Sequence, residues 1–155
     1  MKVSGAYSLP ADQERLYRIL QDPDVLAKCM PGCKALIKTG EDTYQMQMKL
    51  VLASISGLFD GSVRIADQSP PDSFRLTVEG QGKIGFMKGD GLLKLTSNGS
   101  GTQVAYDGEV HAGGTIASVG QRLMDTTAKM IIKRFFDSLS KEISGRTEAN
   151  QAAAS

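Results

Sequence analysis

Tryptophan is absent from the 155 residues, histidine occurs once and cysteine only twice. So few cysteines exclude a disulfide-rich scaffold, and a chain of this length buries roughly 70% of its unfolded surface without one. The longest mostly apolar stretch, residues 50–59, is about half as long as a membrane-spanning helix requires. Lysine and arginine number 18 against 17 acidic residues, so the basic excess of a nucleic-acid-binding domain is also absent. The sequence therefore predicts one ordinary globular domain.

The N-terminal residues alternate in polarity from the start. Residues 1–5 lack the continuous apolar segment of a signal peptide, so we expect a cytoplasmic protein. Val3, Tyr7 and Leu9 fall on one face of a predicted first strand, which ends at Pro10. Two short helices are predicted next, over residues 11–21 and from Asp22-Pro23 to about residue 30.

From residue 33 to residue 112 apolar residues recur at every second position. In the best example Tyr44, Met46 and Met48 alternate with Gln45 and Gln47. The predicted turns contain glycine, proline, asparagine or aspartate, and are too short for crossover helices; they lie at residues 39–42, 54–57, 70–72, 82–91 and 98–101. The pattern therefore predicts six antiparallel strands with one apolar face and one solvated face.

A helical period follows the last strand. Thr115 is the predicted N-cap of one helix that runs to about residue 144, some 45 Å long, and ends at Gly145. Its apolar stripe is predicted to contain Ile116, Val119, Leu123, Thr127, Met130, Ile131, Phe135, Leu139 and Ile143. Residues 145–155 are polar and alanine-rich, and we expect them to form a disordered tail after a single domain at residues 1–144.

These elements predict an α+β fold in which a curved seven-stranded antiparallel sheet wraps around a long C-terminal helix, with two short helices after the first strand. This is the helix-grip arrangement of the START-like (SRPBCC) superfamily. Five segments occur in order: residues 26–33 (LAKCMPGC), 89–91 (GDG), 101–106, 113–123 (GGTIASVGQRL) and 135–139 (FFDSL). Together they resemble the CoxG family of carbon monoxide dehydrogenase subunits over residues 1–144.

The resemblance implies an accessory protein rather than an enzyme. Members of this family are similar to carriers that bind a hydrophobic molecule, proposed to be a quinone, and link a molybdenum-containing carbon monoxide dehydrogenase-type enzyme to the membrane. It implies no covalent cofactor and peripheral contact with the inner face of the cell membrane. The near-neutral charge balance separately argues against a nucleic-acid partner. Some relatives continue into a C-terminal membrane anchor, and residues 146–155 carry no such apolar segment.

The expected ligand pocket follows from the predicted faces and loops. Phe59 and Phe86 are placed in inter-strand segments, where they would form its mouth. The Tyr106 hydroxyl can donate to a ligand carbonyl, although a buried tyrosine commonly donates to backbone or water instead. Gly113, Gly114 and Gly120 leave free volume where the helix meets the sheet. The predicted wall consists of Leu26, Met30, Met48, Leu50, Phe59, Phe86, Met87, Tyr106, Ile116, Leu123 and Ile131.

Other candidate sites are weaker. His111 shares a predicted wet face with Glu109, and Cys29 and Cys33 lack the further ligands of a zinc site, so all three are expected to be structural or solvated. The G-x-G-x-x-G spacing at residues 80–85 lies between two strands and has no helix N-terminus to hold a phosphate.

Two other functions stay open at this stage. Some START-like relatives are cyclases or hydratases, and Lys94 would face inward and favour such an enzyme if its strand slipped by one residue. The inward face of the clear strands otherwise holds no Asp, Glu, His or Lys. A third function is an assembly factor whose interior is filled by its own side chains.

Overall fold

The computed structural model describes residues 1–52 and 54–154, with side chains described as far as residue 145. Seven strands, two short helices, a 3₁₀ helix and one long helix follow one another along the chain. Their bounds are β1 Lys2–Leu9, α1 Gln13–Ile19, α2 Pro23–Cys29, β2 Cys33–Gly40, β3 Thr43–Leu52, β4 Ile55–Ser69, β5 Ser73–Gly82, β6 Gly85–Asn98, β7 Gly101–Gly113, the 3₁₀ helix Thr115–Val119 and α3 Gln121–Ala154.

All seven strands form one antiparallel sheet in the order β1-β7-β6-β5-β4-β3-β2. The six strands from β2 to β7 are neighbours in sequence order, and β1 pairs with β7 so that Gly5 lies opposite Tyr106. The predicted meander, the alternation of faces and the added first strand are therefore confirmed. Lys94 is exposed, so the register of β6 has not slipped.

The two short helices begin at aspartates. The Asp12 carboxylate accepts a hydrogen bond from the Arg15 backbone N–H at 2.7 Å, and the Asp22 carboxylate accepts one from the Asp24 N–H at 3.0 Å. Proline follows Asp22 in the first turn, where its missing N–H leaves no hydrogen bond unmade. Asp12 makes α1 begin two residues later than the predicted start at residue 11.

The predicted single helix from Thr115 is wrong at both ends. Residues 115–119 form the 3₁₀ helix instead, because Gly114 and Gly120 on either side adopt positive φ angles of 82° and 95° that interrupt an α-helix. Gly120 therefore precedes α3 rather than lying inside it. At the other end α3 continues past Gly145 to Ala154 through a segment rich in good helix formers. The expected disorder of residues 146–155 stays a prediction.

Glycines occupy many positions on the inner face of the sheet. They share the parity of the buried residues in their strands, as Gly61 does with Phe59 and Val63. Three cross-strand pairs consist entirely of glycine: Gly61 with Gly80, Gly82 with Gly85 and Gly91 with Gly108. A Cβ atom on Gly61 would collide with the Glu79 carbonyl oxygen. The backbones therefore approach one another closely in the middle of the sheet, and side chains are missing there from the surface that faces α3.

The main hydrophobic core lies where α1 and α2 meet the sheet and the second half of α3. Phe136, Leu139 and Ile143 are the buried α3 residues of this core, while Phe135 is only partly buried. Met130, expected on the buried stripe, is 40% exposed. In this turn of α3 the side chains that pack against the clusters are those of Ile131 and Ile132 instead. The remaining predicted stripe residues are buried or partly buried.

Candidate ligand-binding site

A second apolar cluster lies between the first half of α3 and the sheet, separate from the main core. Leu50, Leu52, Phe59 and Ile116 are buried in it. The partly buried residues around them are Met48, Ile84, Met87, Ala112, Val119, Leu123 and Ile131. The cluster draws on β3, β4, β6, β7, the β5–β6 turn, the 3₁₀ helix and α3, so it lies under the helix at one end of the sheet.

A cavity of about 40 Å³ opens inside this cluster. The lining residues come from positions along the chain between the N-terminus and the middle of α3. They are Met1, Leu50, Leu52, Met87, Val110, Ala112, Ile116, Met124, Thr127, Ala128 and Ile131. Thr127 carries the one side-chain hydroxyl of this lining, and no acidic, basic or imidazole side chain contributes to it among the residues that the structure describes. The cavity is therefore suited to apolar contact, and none of its lining side chains is an acid or base for proton transfer. The N-terminal ammonium of Met1 donates to the Val110 carbonyl oxygen at 3.0 Å.

Ile116 closes the cavity from the 3₁₀ helix. Its side chain is 1% exposed, and its backbone N–H donates to the Ile84 carbonyl oxygen at the β5–β6 turn, at 2.7 Å. The 3₁₀ helix lies between two glycines with positive φ and has no side-chain cap at its N-terminus. The Ile116 side chain thus occupies space that a larger ligand would need.

The structure brings together seven of the eleven predicted wall residues. Met48, Leu50, Phe59, Met87, Ile116, Leu123 and Ile131 belong to the cluster, and four of them line the cavity itself. Tyr106 packs against the main core instead. Leu26 and Met30 lie in α2 and at its C-cap, partly buried and outside the cluster.

The predicted mouth is wrong. Phe59 and Phe86 lie in β4 and β6, not in inter-strand segments, because both hairpin turns are shorter than their glycine and serine content indicated. Phe59 points inward and is buried, whereas Phe86 lies on the outer face, where its ring covers the Cα position of Gly113. Phe86 therefore does not line the cavity.

The four tyrosines divide into two groups by their hydroxyl partners. The Tyr44 hydroxyl donates to the Gln21 carbonyl oxygen at 3.2 Å, and that of Tyr17 donates to the Ser73 carbonyl oxygen at 3.0 Å. The hydroxyls of Tyr7 and Tyr106 meet no hydrogen-bond partner among the described residues. Burial raises the pKa of Tyr106, so its phenol stays protonated and can donate.

Tyr7 and Tyr106 stack with Phe136 of α3. The ring centroids of Tyr7 and Phe136 are 4.6 Å apart and nearly parallel, and those of Tyr106 and Phe136 are 6.1 Å apart. Tyr106 also requires Gly5 opposite it, because a Cβ there would come within 2.7 Å of the phenol oxygen. The stack fixes both rings between the sheet and the helix.

His111 and the cysteines are placed as expected. The His111 ring is exposed and lies 3.7 Å from a Glu109 carboxylate oxygen. Cys29 is buried and Cys33 is partly buried, both as free thiols, and burial raises the pKa of Cys33. Within the described part of the chain no three His, Cys, Asp or Glu side chains are grouped closely enough to hold a metal ion.

A larger groove at the opposite end of the sheet is not the better candidate. It encloses about 400 Å³ and is open to solvent, and its lining is polar: Gln13, Asp72, Ser73, Lys94, Leu95, Thr96 and Ser97. The Gln13 amide already donates to the Pro71 and Leu95 carbonyl oxygens at 3.0 and 3.1 Å. Because the groove is open to solvent and most of its lining residues are polar, it would desolvate a bound ligand only weakly.

Residues of the cavity were missed where the sequence pattern is hardest to interpret. Met124 and Ala128 belong to the apolar side of α3 but lie beside the predicted stripe, and Met1 is an N-terminal residue with no periodic context. The inward glycines are a signal that was available. Because Gly89 and Gly91 share the parity of Met87 and Leu93, they indicate a sheet surface left bare of side chains.

The sequence matches a known protein family. Residues 5–144 match the CoxG family of carbon monoxide dehydrogenase subunits. The chain belongs to the CoxG family. The match covers all seven strands except the first residues of β1, and all of the cavity lining except Met1. A search of curated protein sequences found no significant match.

Solved structures share the CoxG chain's architecture. A conserved protein from Geobacillus kaustophilus is 34% identical, with a TM-score of 0.89 over 94% of this chain and 96% of that one. The Zhui aromatase/cyclase from Streptomyces sp. R1128 is 10% identical, with a TM-score of 0.65 over 95% of each chain, and shows the fold alone. The helix-grip, START-like fold predicted from the sequence is confirmed. None of the helices in the described residues is both long and apolar enough to span a membrane.

Proposed function

We propose that this member of the CoxG family binds a quinone, or a similar apolar molecule, between α3 and the sheet. It is proposed to carry that molecule between the membrane and a molybdenum-containing carbon monoxide dehydrogenase-type enzyme. The observation that carries the proposal is the apolar cavity under the helix, in a fold and family consistent with hydrophobic ligand binding. The expected location is cytoplasmic, with peripheral contact at the inner face of the membrane.

The cavity must enlarge before such a ligand enters. Pockets for small organic ligands have volumes of roughly 300–1,000 Å³, about 8 to 25 times the 40 Å³ present here. The 3₁₀ helix is the element best suited to move, because Gly114 and Gly120 flank it and the Ile116 side chain occupies the interior. Its outward displacement would join the cavity to the bare sheet surface at Gly89.

The chemistry of the lining residues supports transport of a ligand rather than catalysis. General acid–base chemistry needs a titratable group within hydrogen-bond reach of the substrate. The side chains of the cavity lining supply one threonine hydroxyl, and the Met1 ammonium is hydrogen-bonded to the Val110 carbonyl oxygen. Methionine side chains from Met87 and Met124 contribute flexible, polarisable contact surface that adapts to ligands of different shape. A quinone would meet mainly carbon atoms, with the phenol of Tyr106 as a hydrogen-bond donor further along the helix.

Native mass spectrometry of the protein purified from a quinone-containing host tests the proposal, followed by titration with decylubiquinone. Ala128→Leu fills the cavity from α3 and should weaken decylubiquinone binding at least tenfold. Ala105→Leu adds the same atoms on the exposed face of β7 and should leave the affinity unchanged. Unchanged affinity in Ala128→Leu, or absence of any saturable binding, contradicts the proposal.

One observation favours a second candidate, an assembly factor without a ligand. The interior beneath α3 is nearly filled by the protein's own side chains, with only about 40 Å³ left. Such a protein would copurify with no small molecule and would show no saturable decylubiquinone binding, yet it would still bind the dehydrogenase. Turnover of an aromatic substrate would instead indicate a cyclase-type enzyme.

A further inference from the structure

The two edge strands of the sheet differ in how they are protected. β1 and β2 each pair with one neighbour, so each leaves one side of its backbone open. β2 carries the exposed lysines Lys34 and Lys38, and its register with β3 shifts at two places. Charges and bulges of this kind keep an edge strand from pairing with another chain. β1 keeps one register over all eight residues, and its centre, Ser4–Ala6, is uncharged and exposed.

The free backbone groups of β1 belong to its even-numbered residues. The Met1 ammonium donates to the Val110 carbonyl oxygen at 3.0 Å, and the Val110 N–H donates to the Met1 carbonyl oxygen at 2.8 Å. Hydrogen-bonded pairs alternate along an antiparallel ladder, so the odd-numbered residues of β1 are bonded to β7. Within the described part of the chain no hydrogen bond reaches the backbone groups that point the other way, those of Lys2, Ser4, Ala6 and Ser8.

We propose that β1 pairs with β1 of a second copy of this chain, antiparallel, about a two-fold axis at Gly5. In this register Lys2 lies opposite the partner's Ser8, and Ser4 lies opposite the partner's Ala6. All free groups of β1 are then used, in four pairs with two hydrogen bonds each, and no like charges face one another. A shift of the register in either direction leaves some of these groups unpaired. The two glycines at the axis form a non-hydrogen-bonded pair, in which the backbones approach most closely.

The protected edge at β2 favours a second copy bound in this symmetric way. A head-to-tail contact between β1 of one copy and β2 of the next does not close, and it would propagate into a fibre. Lys34, Lys38 and the register shifts of β2 oppose that contact. Pairing of β1 with β1 uses the same surface on both copies and ends at two chains, so two seven-stranded sheets become one continuous sheet.

Pairing also covers the open side of the aromatic stack. Gly5 is exposed, and Tyr7 is only partly buried although its ring stacks with that of Phe136. In the proposed register the partner's Val3 lies directly opposite Tyr7, and cross-strand pairs of an aromatic with a β-branched side chain stabilise strand pairing. The second copy thus contributes a side chain to the region between β1 and α3, and the pairing requires no ligand.

Analytical ultracentrifugation over a range of protein concentrations tests the pairing with the full chain. The protein is expected to show a monomer–dimer equilibrium. Ser4→Lys with Ala6→Lys places like charges opposite one another and should raise the dimer dissociation constant about tenfold or more. The matched control, Gln45→Lys with Gln81→Lys, adds the same charge at exposed positions of β3 and β5 and should leave the constant unchanged.

Ala6→Pro tests the hydrogen bonds without a change of charge. It removes an N–H that points to the free edge and no hydrogen bond to β7, so the dimer should weaken while a thermal melt shows a folded protein. A monomer at every concentration, or an equal effect of the edge and control lysine variants, overturns the proposal.

Disulfide trapping with oxidised glutathione tests the register. Ser4→Cys with Ala6→Cys should yield a covalent dimer, because Cα atoms in a hydrogen-bonded pair lie about 5.5 Å apart, within the range that a disulfide spans. The matched control, Ser4→Cys with Ser8→Cys, places no two new thiols opposite one another and should yield no more covalent dimer than the wild type. Trapping in the control variant alone overturns the proposed register.

Discussion

The backbone N–H of Ile116 donates to the Ile84 carbonyl oxygen at 2.7 Å, and this contact ties the 3₁₀ helix to the β5–β6 turn. The Ile84 side chain, in turn, packs within 3.1 Å of where a Cβ on Gly57 would lie. The two isoleucines thus connect three segments at the closed end of the cavity. Opening it would break one hydrogen bond and move one buried side chain.

Ile116→Ala is expected to enlarge the cavity while lowering stability. Removal of a fully buried isoleucine side chain costs about 2–5 kcal/mol in the free energy of unfolding, because the surroundings collapse only partly into the space. Decylubiquinone should bind more tightly to the enlarged cavity, provided that the variant remains folded at the assay temperature. Chemical denaturation and fluorescence titration measure the two effects.

Ile65→Ala is the matched control for this variant. Ile65 is also buried, but it belongs to the main core rather than to the cavity cluster. It should lose comparable stability with no gain in affinity. An equal gain in both variants would mean that loosened packing, rather than the space at Ile116, admits the ligand.

Gly89→Val is expected to weaken ligand binding without destabilising the fold. A Cβ at Gly89 would meet nothing closer than 3.9 Å, and its cross-strand partner Val110 lines the cavity. The valine methyl groups would therefore occupy the bare sheet surface, while replacing a strand glycine typically stabilises by about 0.4–1 kcal/mol. Gly40→Val, at the other end of the sheet, should leave affinity unchanged; lost stability in Gly89→Val would show that α3 already packs onto this surface.

The strand order and the inner face were predictable from the sequence because a two-residue period determines which side chains are buried. Tyr44, Leu50 and Val104 are all buried as their positions predict. The strand ends were less predictable. At residues 82–91 glycines were interpreted as a turn, although most lie within β6 and leave the inner face bare. Glycine in a β-sheet protein marks either a turn or a position inside a strand where another backbone approaches closely, and only tertiary contacts distinguish the two.

The candidate site was partly predictable for the same reason. Leu50 and Ile131 were identified from their faces and Met87 from its expected place in an inter-strand segment. The structure brings all three to one cavity. Phe86 was misplaced, because an aromatic side chain beside glycine can face either way and the turn length fixes its side of the sheet. The break at Gly120 also escaped prediction, since isolated glycines are tolerated in many helices.

Leu139→Asp should abolish folding, whereas Leu123→Asp should only lower stability. Leu139 is 0% exposed in the main core, so an unpaired carboxylate there costs several kcal/mol against a total stability of about 5–15 kcal/mol. Leu123 is partly exposed beside the cavity and its carboxylate would reach solvent. Solubility and thermal melts separate the two variants, and equal melting temperatures would contradict the placement of α3.

Deletion of residues 146–155 should leave both the fold and decylubiquinone binding unchanged. The described core contacts of α3 end with Ile143, and the cavity is lined by residues no further along than Ile131. Circular dichroism melts and the same titration provide the measurement. A fall of several degrees in melting temperature, or a clear loss of affinity, would assign a packing role to the tail.

Tyr106→Phe is expected to weaken quinone binding while leaving stability unchanged. The Tyr106 hydroxyl meets no protein hydrogen-bond partner among the described residues, so its removal costs the unliganded fold little. A hydrogen bond to a quinone carbonyl contributes about 0.5–1.5 kcal/mol, which is a severalfold change in affinity. Because burial raises the Tyr106 pKa, affinity should also stay constant across neutral and mildly alkaline pH.

Tyr44→Phe gives the opposite pattern and serves as the control. Its hydroxyl donates to the Gln21 carbonyl oxygen at 3.2 Å, so the variant should lose about 1 kcal/mol of stability and keep its affinity for decylubiquinone. Denaturant unfolding and decylubiquinone titration measure stability and affinity for both variants. Tyr106→Phe should lose affinity only, and Tyr44→Phe should lose stability only. If Tyr106→Phe binds decylubiquinone as tightly as the wild type, the ligand does not extend along α3 as far as the aromatic stack, and the site is confined to the cavity at Ile116.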